Sequence, residues 1–218
     1  MSRITFALRW LLFPLIAGAI LFGCAGRWNL PGAWGVLVLL AGFGVALALT
    51  ADEGLLEERQ RPGPGSQDRL TRPASLVAIF AQWVIAGLDA RYGWSPVPLA
   101  VVLAAVVGYA VCLAGILAAM RANRFYSSVV RVQSERGHSV ITRGPYAIVR
   151  HPGYAASMLG AICGGLALGS WLAMIPTALF AALFVRRTLL EDRLLIAELP
   201  GYADYARHVR YRLIPGVL

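Results

Sequence analysis

The chain alternates long apolar runs with shorter polar interruptions, and the run lengths predict its elements. Four runs, about 6–25, 31–51, 74–94 and 97–120, each approach the roughly 20 residues a helix needs to cross about 30 Å of hydrocarbon. Their apolar residues fall in long blocks rather than half-buried stripes, which suits lipid as the surrounding solvent. A fifth run, 154–190, is nearly long enough for two short spans. Gly169-Ser170 near its middle and Pro176 beyond offer a turn, so this run predicts a tight helical hairpin. The expected fold is all-α: a polytopic integral membrane protein of about six transmembrane helices with a C-terminal helical hairpin. Residues 1–120 make the N-terminal transmembrane helices, and 121–218 a second region of polar loop, hairpin and amphipathic tail.

Composition agrees with that pattern, and charge orients it. At 58% hydrophobic and 14% charged residues, the 218-residue chain is too apolar for a soluble domain. The net charge of +9 comes wholly from arginine, since the sequence contains no lysine. Arginines cluster at Arg3 and Arg9, at 59–72, at 121–150 and from 186 onward, leaving Arg27 and Arg91 for the other two connections. By the positive-inside rule the rich side is cytoplasmic. An even number of spans then puts both termini inside, in a membrane of the bacterial inner-membrane type. Anionic lipid headgroups and a negatively charged substrate account for the basic balance better than nucleic acid, which is not an expected partner.

The first run also resembles a lipoprotein leader, with Arg3 and Arg9 before it and Leu21-Phe22-Gly23-Cys24 near its end. Phe22 is bulky for such a cleavage box, and the spans that follow make this segment a first span. Cys24, Cys112 and Cys163 lie far apart within or beside apolar runs, so neither a disulfide nor a metal site is expected.

The polar connections differ in length. Those around 26–30 and 92–96 are short, whereas 52–73 and 121–153 are long and rich in breakers, which places function on the cytoplasmic face. In the first long loop, Glu57-Glu58-Arg59 leads through Pro62-Gly63-Pro64-Gly65 to Asp68-Arg69, readable as a solvated connector or as a flap over a bound molecule. Asp89 and Arg91 near the opposite edge read as a local ion pair. The second long loop holds a short β-branched stretch, Val140-Ile141-Thr142, then a turn at Gly144-Pro145, then His151-Pro152, where proline suits the first turn of a new helix.

A bipartite polar signature falls here. Its first part is Gly144-Pro145-Tyr146 with Arg150-His151-Pro152-Gly153-Tyr154, and its second is Arg187 with Glu191-Asp192. Charges beside a bilayer cost free energy unless solvated, paired or bound to a ligand, so the cluster predicts a site. Taken singly, each residue has a plainer reading: His151 a helix-start residue, Tyr146 and Tyr154 an aromatic belt, Arg187 a snorkelling anchor and Glu191 its i+4 partner. His208, in the tail, reads as a solvated surface residue.

Together with Gln133, His138 and the terminal Arg212-Leu213-Ile214-Pro215, the signature resembles the isoprenylcysteine carboxyl methyltransferase family, and phospholipid methyltransferases share part of it. The resemblance covers roughly the last 95 residues, and the Glu58-Arg59 and Pro62 to Gly65 loop is similar to bacterial members. It implies methyl transfer from S-adenosyl-L-methionine to a lipophilic acceptor at the cytoplasmic membrane face, with the second polar stretch as the cofactor loop. Carried over motif by motif, Gln133, His138, Ser139, Val140, Ile141, Tyr146, His151, Pro152, Gly153, Tyr154, Glu191 and Asp192 are the implied cofactor contacts. Arg187 is implied to hold an acceptor carboxylate. Two departures stand out: the family often has two glutamates where this chain has Glu191-Asp192, and a serine where it has Gly153.

The residue types suit a sulfonium cofactor, which carries positive charge beside its methyl group and both signs on its amino-acid tail. A carboxylate acceptor is already ionised and needs only positioning; an amine acceptor would need deprotonation, for which His151 is the candidate. The expected partners are thus membrane lipids and a prenylated or lipid substrate entering from the bilayer, with no metal. Three other functions remain open at this point: a phospholipid amine N-methyltransferase, a membrane NADPH-dependent sterol-type reductase, and a non-catalytic lipid-binding or transport subunit.

Overall fold

A computed structural model describes residues 3–217. The first four apolar runs form α1 (Arg3–Ala25), α2 (Pro31–Thr50), α4 (Thr71–Tyr92) and α5 (Leu99–Ala122), with a short α3 (Glu53–Gln60) between α2 and α4. The fifth run forms α6 (Pro152–Ala167) and α7 (Met174–Glu198), and α8 (Tyr202–His208) follows. By length and composition α1, α2, α4 and α5 are each able to cross a membrane. The protein is therefore an all-α, polytopic integral membrane protein. Helices α6 and α7 are the expected hairpin, turning at 168–173. They are unequal: α6 has 16 residues, short of a full span, while α7 has 25 and runs past the apolar stretch into Arg186, Arg187, Glu191, Asp192 and Arg193.

Lipid removes most of the hydrophobic drive between helices, so close packing of small residues takes its place. That is how the hairpin docks on α5. A Cβ at Gly108 would stand 2.9 Å from Cys163 Sγ, one at Gly160 3.3 Å from Cys112 Cβ, and one at Gly115 3.4 Å from Ala156 Cβ. A side chain at Gly108 would force Cys163 to shift and one at Gly160 would crowd Cys112, whereas an added Cβ at Gly115 would stand at ordinary contact distance. Large apolar residues instead face outward, including Leu8, Leu12 and Leu15 on α1 and Leu103, Val107 and Val111 on α5. In water they would be a liability, but towards acyl chains they are the expected surface.

The connections sort to two ends. At one end, Pro96 bridges Ser170, and the buried Asp89 accepts from the Ser95 backbone N–H at 2.7 Å and from the Ser95 and Ser170 hydroxyls. Asp89 thus ties α4 to the hairpin turn, while Arg91 lies over the Tyr92 ring, so the expected Asp89–Arg91 ion pair is replaced by hydroxyl partners. At the other end gather α3, the long loop 123–151 and the tail.

The 52–73 connection is far from a free connector. Asp52 caps α3, its Oδ1 accepting from the Leu55 N–H at 2.7 Å, and Leu55 and Leu56 are each 1% exposed. Glu58 is buried against Arg131 of the long loop, Nη2 to Oε2 at 2.8 Å. Asp68 receives Arg186 of α7 at 2.9 Å and the Thr71 N–H at 3.1 Å. Loop polarity here is used for pairing rather than hydration.

Candidate functional site

The long loop is irregular, and its polar side chains take over the work of absent regular structure. Gln133, fully buried, donates through Nε2 to the Phe125 carbonyl at 2.6 Å and accepts from Arg136. Its backbone N–H donates to His138 Nδ1 at 3.2 Å, and the His138 ring packs on Phe125 with centroids 4.5 Å apart. Burial pushes the His138 pKa down; Arg131 and Arg136 add to that shift while Glu191 and Glu135 oppose it. A 3₁₀ turn, Gly144–Ala147, then buries Tyr146, whose hydroxyl accepts from Asn123 Nδ2 at 3.3 Å and whose carbonyl accepts from the Tyr205 hydroxyl at 2.7 Å. Burial raises the Tyr146 hydroxyl pKa well above its ordinary value.

His151 stands at the N-cap position of α6 without a side-chain capping bond, and Pro152 opens the helix as the sequence predicts. The backbone N–H groups of Arg150 and His151 donate to the carbonyls of Tyr211 and Arg212 at 3.0 and 2.8 Å, so the tail is laid against the start of α6. Beneath this junction lies Asp192, 1% exposed. Its Oδ2 receives Arg212 Nε at 2.8 Å and Arg150 Nη2 at 3.2 Å, and its Oδ1 receives the Tyr202 hydroxyl at 3.0 Å, with His151 Nε2 at 3.4 Å. One carboxylate joins loop, hairpin and tail. Losing such a buried charge costs about 3–5 kcal/mol, because its partners are left uncompensated.

One turn of α7 earlier, Arg187 donates through Nε to the Tyr154 hydroxyl at 2.8 Å and lies over the same ring at 5.4 Å. That hydroxyl in turn donates to Glu191 Oε2. The ring also stacks on His151, 5.6 Å apart and nearly parallel.

Two cavities meet at this point. A narrow polar cleft of about 60 Å³ is lined by His138, Ser139, Val140, Ile141, Tyr146, His151, Gly153, Tyr154 and Glu191. A larger, mainly apolar cavity of about 640 Å³ runs between α1, α2, α4, α5, α6 and α7 and is lined by Arg187, Phe180 and Phe184. Tyr126, Ser127 and Tyr154 line both and form the partition.

Nine of the residues implied as cofactor contacts therefore share one cleft. Gln133, Pro152 and Asp192 do not line it: Gln133 braces the loop, Pro152 starts the helix, and Asp192 faces the arginine cluster. Arg187 faces the apolar cavity. His208 is exposed, as expected, its Nδ1 2.8 Å from the Asp204 carbonyl.

Among the lining residues, Tyr126, Tyr202 and Tyr205 escaped the sequence reading, and Arg150, part of the signature, was not among the implied cofactor contacts. Arg150 stood in plain view in the motif, and the scarcity of charge was the available signal. Its Nε is buried without a partner. Tyr126 explains the missing serine: a Cβ at Gly153 would fall 2.6 Å from the Tyr126 hydroxyl oxygen, so glycine is what lets this tyrosine form the partition.

Comparison with known proteins falls on the same part of the chain. The model of the isoprenylcysteine carboxyl methyltransferase (ICMT) family matches residues 100–197. A probable protein-S-isoprenylcysteine O-methyltransferase of Oryza sativa subsp. indica is 28% identical over 95 residues, 43% of this chain and 50% of that protein. The cobalt-zinc-cadmium resistance protein CzcN of Cupriavidus metallidurans is 35% identical over 81 residues, 35% of this chain and 36% of its own. The nickel-cobalt-cadmium resistance protein NccN of Alcaligenes xylosoxydans xylosoxydans is 31% identical over 77 residues. The chain spans half or less of the length of these curated relatives. From α5 through most of α7, which supply part of the walls of both cavities, the chain is similar to the isoprenylcysteine carboxyl methyltransferase family, and the resemblance read from its motifs holds.

Proposed function

We propose that the protein is a methyltransferase that uses S-adenosyl-L-methionine to methylate the carboxylate of a lipophilic, isoprenylcysteine-like acceptor at the cytoplasmic membrane face. The observation that carries this reading is the pair of cavities sharing one tyrosine partition, a polar cleft on one side and an apolar chamber with an arginine on the other.

The cleft's donor set fits the cofactor. Glu191 offers a carboxylate to positive charge, the buried and unpartnered Nε of Arg150 suits a carboxylate tail, and Tyr146, Tyr154 and His138 offer ring faces. When bound, the cofactor would be held by the cleft residues and would supply an electrophilic methyl group, its sulfonium becoming a neutral thioether as a carboxylate acceptor becomes a methyl ester. The chain's own task is alignment. Arg187 lines the apolar cavity with only its Nε committed to Tyr154, and its planar fork matches a carboxylate. Tyr154 fixes that fork relative to Glu191 through one hydroxyl. No general base is needed, since the acceptor is already ionised, and positioning supplies at most about 7–11 kcal/mol of the barrier reduction. The arginine-rich end of the bundle bears the site, which supports a cytoplasmic placement.

The test is methyl transfer from labelled cofactor to a farnesylcysteine analogue and, in parallel, to phosphatidylethanolamine. The farnesylcysteine analogue is expected to be the better acceptor, and Arg187→Lys to lose most turnover although it keeps the charge. Glu191→Gln is expected to weaken cofactor binding by about 1–3 kcal/mol in calorimetry. Methylation of the phospholipid alone by a fully active Arg187→Lys would overturn the carboxylate reading in favour of an amine acceptor.

A further inference from the structure

Besides Arg187, the apolar cavity is lined by Arg9, Arg59 and Arg72, and of these Arg59, on α3, stands over a ring of the tyrosine partition. Its guanidinium lies over the Tyr126 ring at 5.6 Å, as that of Arg187 lies over Tyr154 at 5.4 Å, and the two rings are 6.2 Å apart, edge to face. Each half of the tyrosine partition thus carries its own arginine.

Neither cation has a direct ion-pair partner, and Glu191 reaches Arg187 only through the Tyr154 hydroxyl. Among the described residues no carboxylate lies within ion-pair distance of Arg59 or Arg187. The acids nearest in sequence are committed elsewhere. Glu58 turns the other way and takes two bonds from Arg131, at 3.1 and 2.8 Å, and one from the Ser127 hydroxyl at 2.7 Å. Glu191 lines the cleft on the other side of the partition and is held by Tyr154. Guanidiniums beside an apolar chamber with no carboxylate in direct contact cost free energy that a bound anion would recover.

Arg59 is also placed, rather than left to snorkel. The Asp52 cap starts α3, and the buried Leu55 and Leu56 and the Glu58–Arg131 pair anchor it to the rest of the protein, with Arg59 lining the cavity. A loose surface arginine would need none of these supports.

We propose that Arg59 is the second half of an acceptor clamp: with Arg187 it grips the anionic head of the lipophilic acceptor across the Tyr126–Tyr154 partition. The proposal rests on the reading of the apolar cavity as the acceptor site. A carboxylate has enough lone pairs for two guanidiniums, and a phosphate monoester has more. The chemistry recognised is an anionic head on a hydrocarbon tail.

The experiment measures binding to the full chain in nanodiscs, separately from turnover. The probes are N-acetyl-farnesylcysteine, its uncharged methyl ester and farnesyl phosphate. Wild type should bind the acid at least tenfold more tightly than the ester. Arg59→Gln should lose about tenfold for the acid and nothing for the ester, and Arg59→Lys should fall between. Turnover of the acid should show the loss in KM with kcat little changed. A larger loss with farnesyl phosphate than with the acid would keep the clamp and identify phosphate as the head. Equal affinity of wild type for acid and ester, or an Arg59→Gln protein with undiminished preference for the acid, would overturn the clamp. If Arg59→Gln melts below wild type, Arg59→Lys decides alone, and unchanged acid affinity there overturns it. Failure of the methyl-transfer reading looks different: anionic probes bind and depend on Arg59, yet no labelled methyl group reaches any of them.

Discussion

Arg187 Nε donates to the Tyr154 hydroxyl at 2.8 Å, so the arginine facing the apolar cavity is fixed through a residue that also walls the polar cleft. The same hydroxyl donates to Glu191. A change on one side of the partition is therefore felt on the other. Aligning two reactants is mostly a matter of shared rigid supports, and here the support is a single phenol.

Tyr154→Phe keeps the ring that stacks on His151 and removes only that hydroxyl. A hydrogen bond to a charged group is worth about 1.5–3 kcal/mol, so kcat/KM should fall about ten- to a hundredfold. Melting temperature should change little, because the ring's packing survives. Kinetics and thermal unfolding of the same preparation check this, and full activity in the phenylalanine variant would remove the hydroxyl from the alignment.

Asp192 is expected to act on folding rather than on the cleft. Asp192→Asn retains shape but leaves the buried Arg150 and the partly exposed Arg212 around a neutral group, at a cost of about 3–5 kcal/mol. The tail paired to residues 150 and 151 should loosen first. Limited proteolysis should cut beyond Leu199 in the variant and spare the wild type, with a lower melting temperature. A variant as stable and as resistant as wild type would show that Asp192 is not the junction's anchor.

Most of the architecture was legible in the chain because lipid demands uninterrupted apolar length, and length is easy to read. The hairpin turn at 168–173 followed from Gly169-Ser170 in the same way. The motif also led to the cleft, since scarce charges mark sites in a membrane protein. What stayed hidden were contacts between distant segments. Nothing local in Glu58 announces Arg131, 73 residues on, so the first loop read as a solvated connector or as a flap. Tyr126 lay outside every motif, and only the space emptied by Gly153 reveals it as part of the wall. Asp192 and Glu191 are neighbours in sequence but on an α-helix point about 100° apart, which sends one to the arginine cluster and the other to the cleft.

His138 gives a pH dependence with a defined sign. Its Nδ1 accepts from the Gln133 N–H, so the bond requires that nitrogen to be unprotonated. Burial lowers its pKa, Arg131 and Arg136 push the same way, and Glu191 and Glu135 oppose them. A group whose folded pKa lies below its unfolded value of about 6.5 contributes stability that is complete above 6.5 and is lost as pH falls toward the folded pKa. The loop around Gln133 should therefore loosen on mild acidification, and the cleft lined by His138 with it. His138→Gln, which keeps a side-chain acceptor but cannot titrate, isolates the effect from the other histidines. The difference in melting temperature between wild type and His138→Gln should be constant from pH 8 to about 7 and shift against wild type below about 6. Cofactor affinity measured across the same range should weaken in wild type more than in the variant. A difference that is flat with pH, or one in which wild type gains on acidification, would mean that the imidazole is not held neutral by its place in the loop.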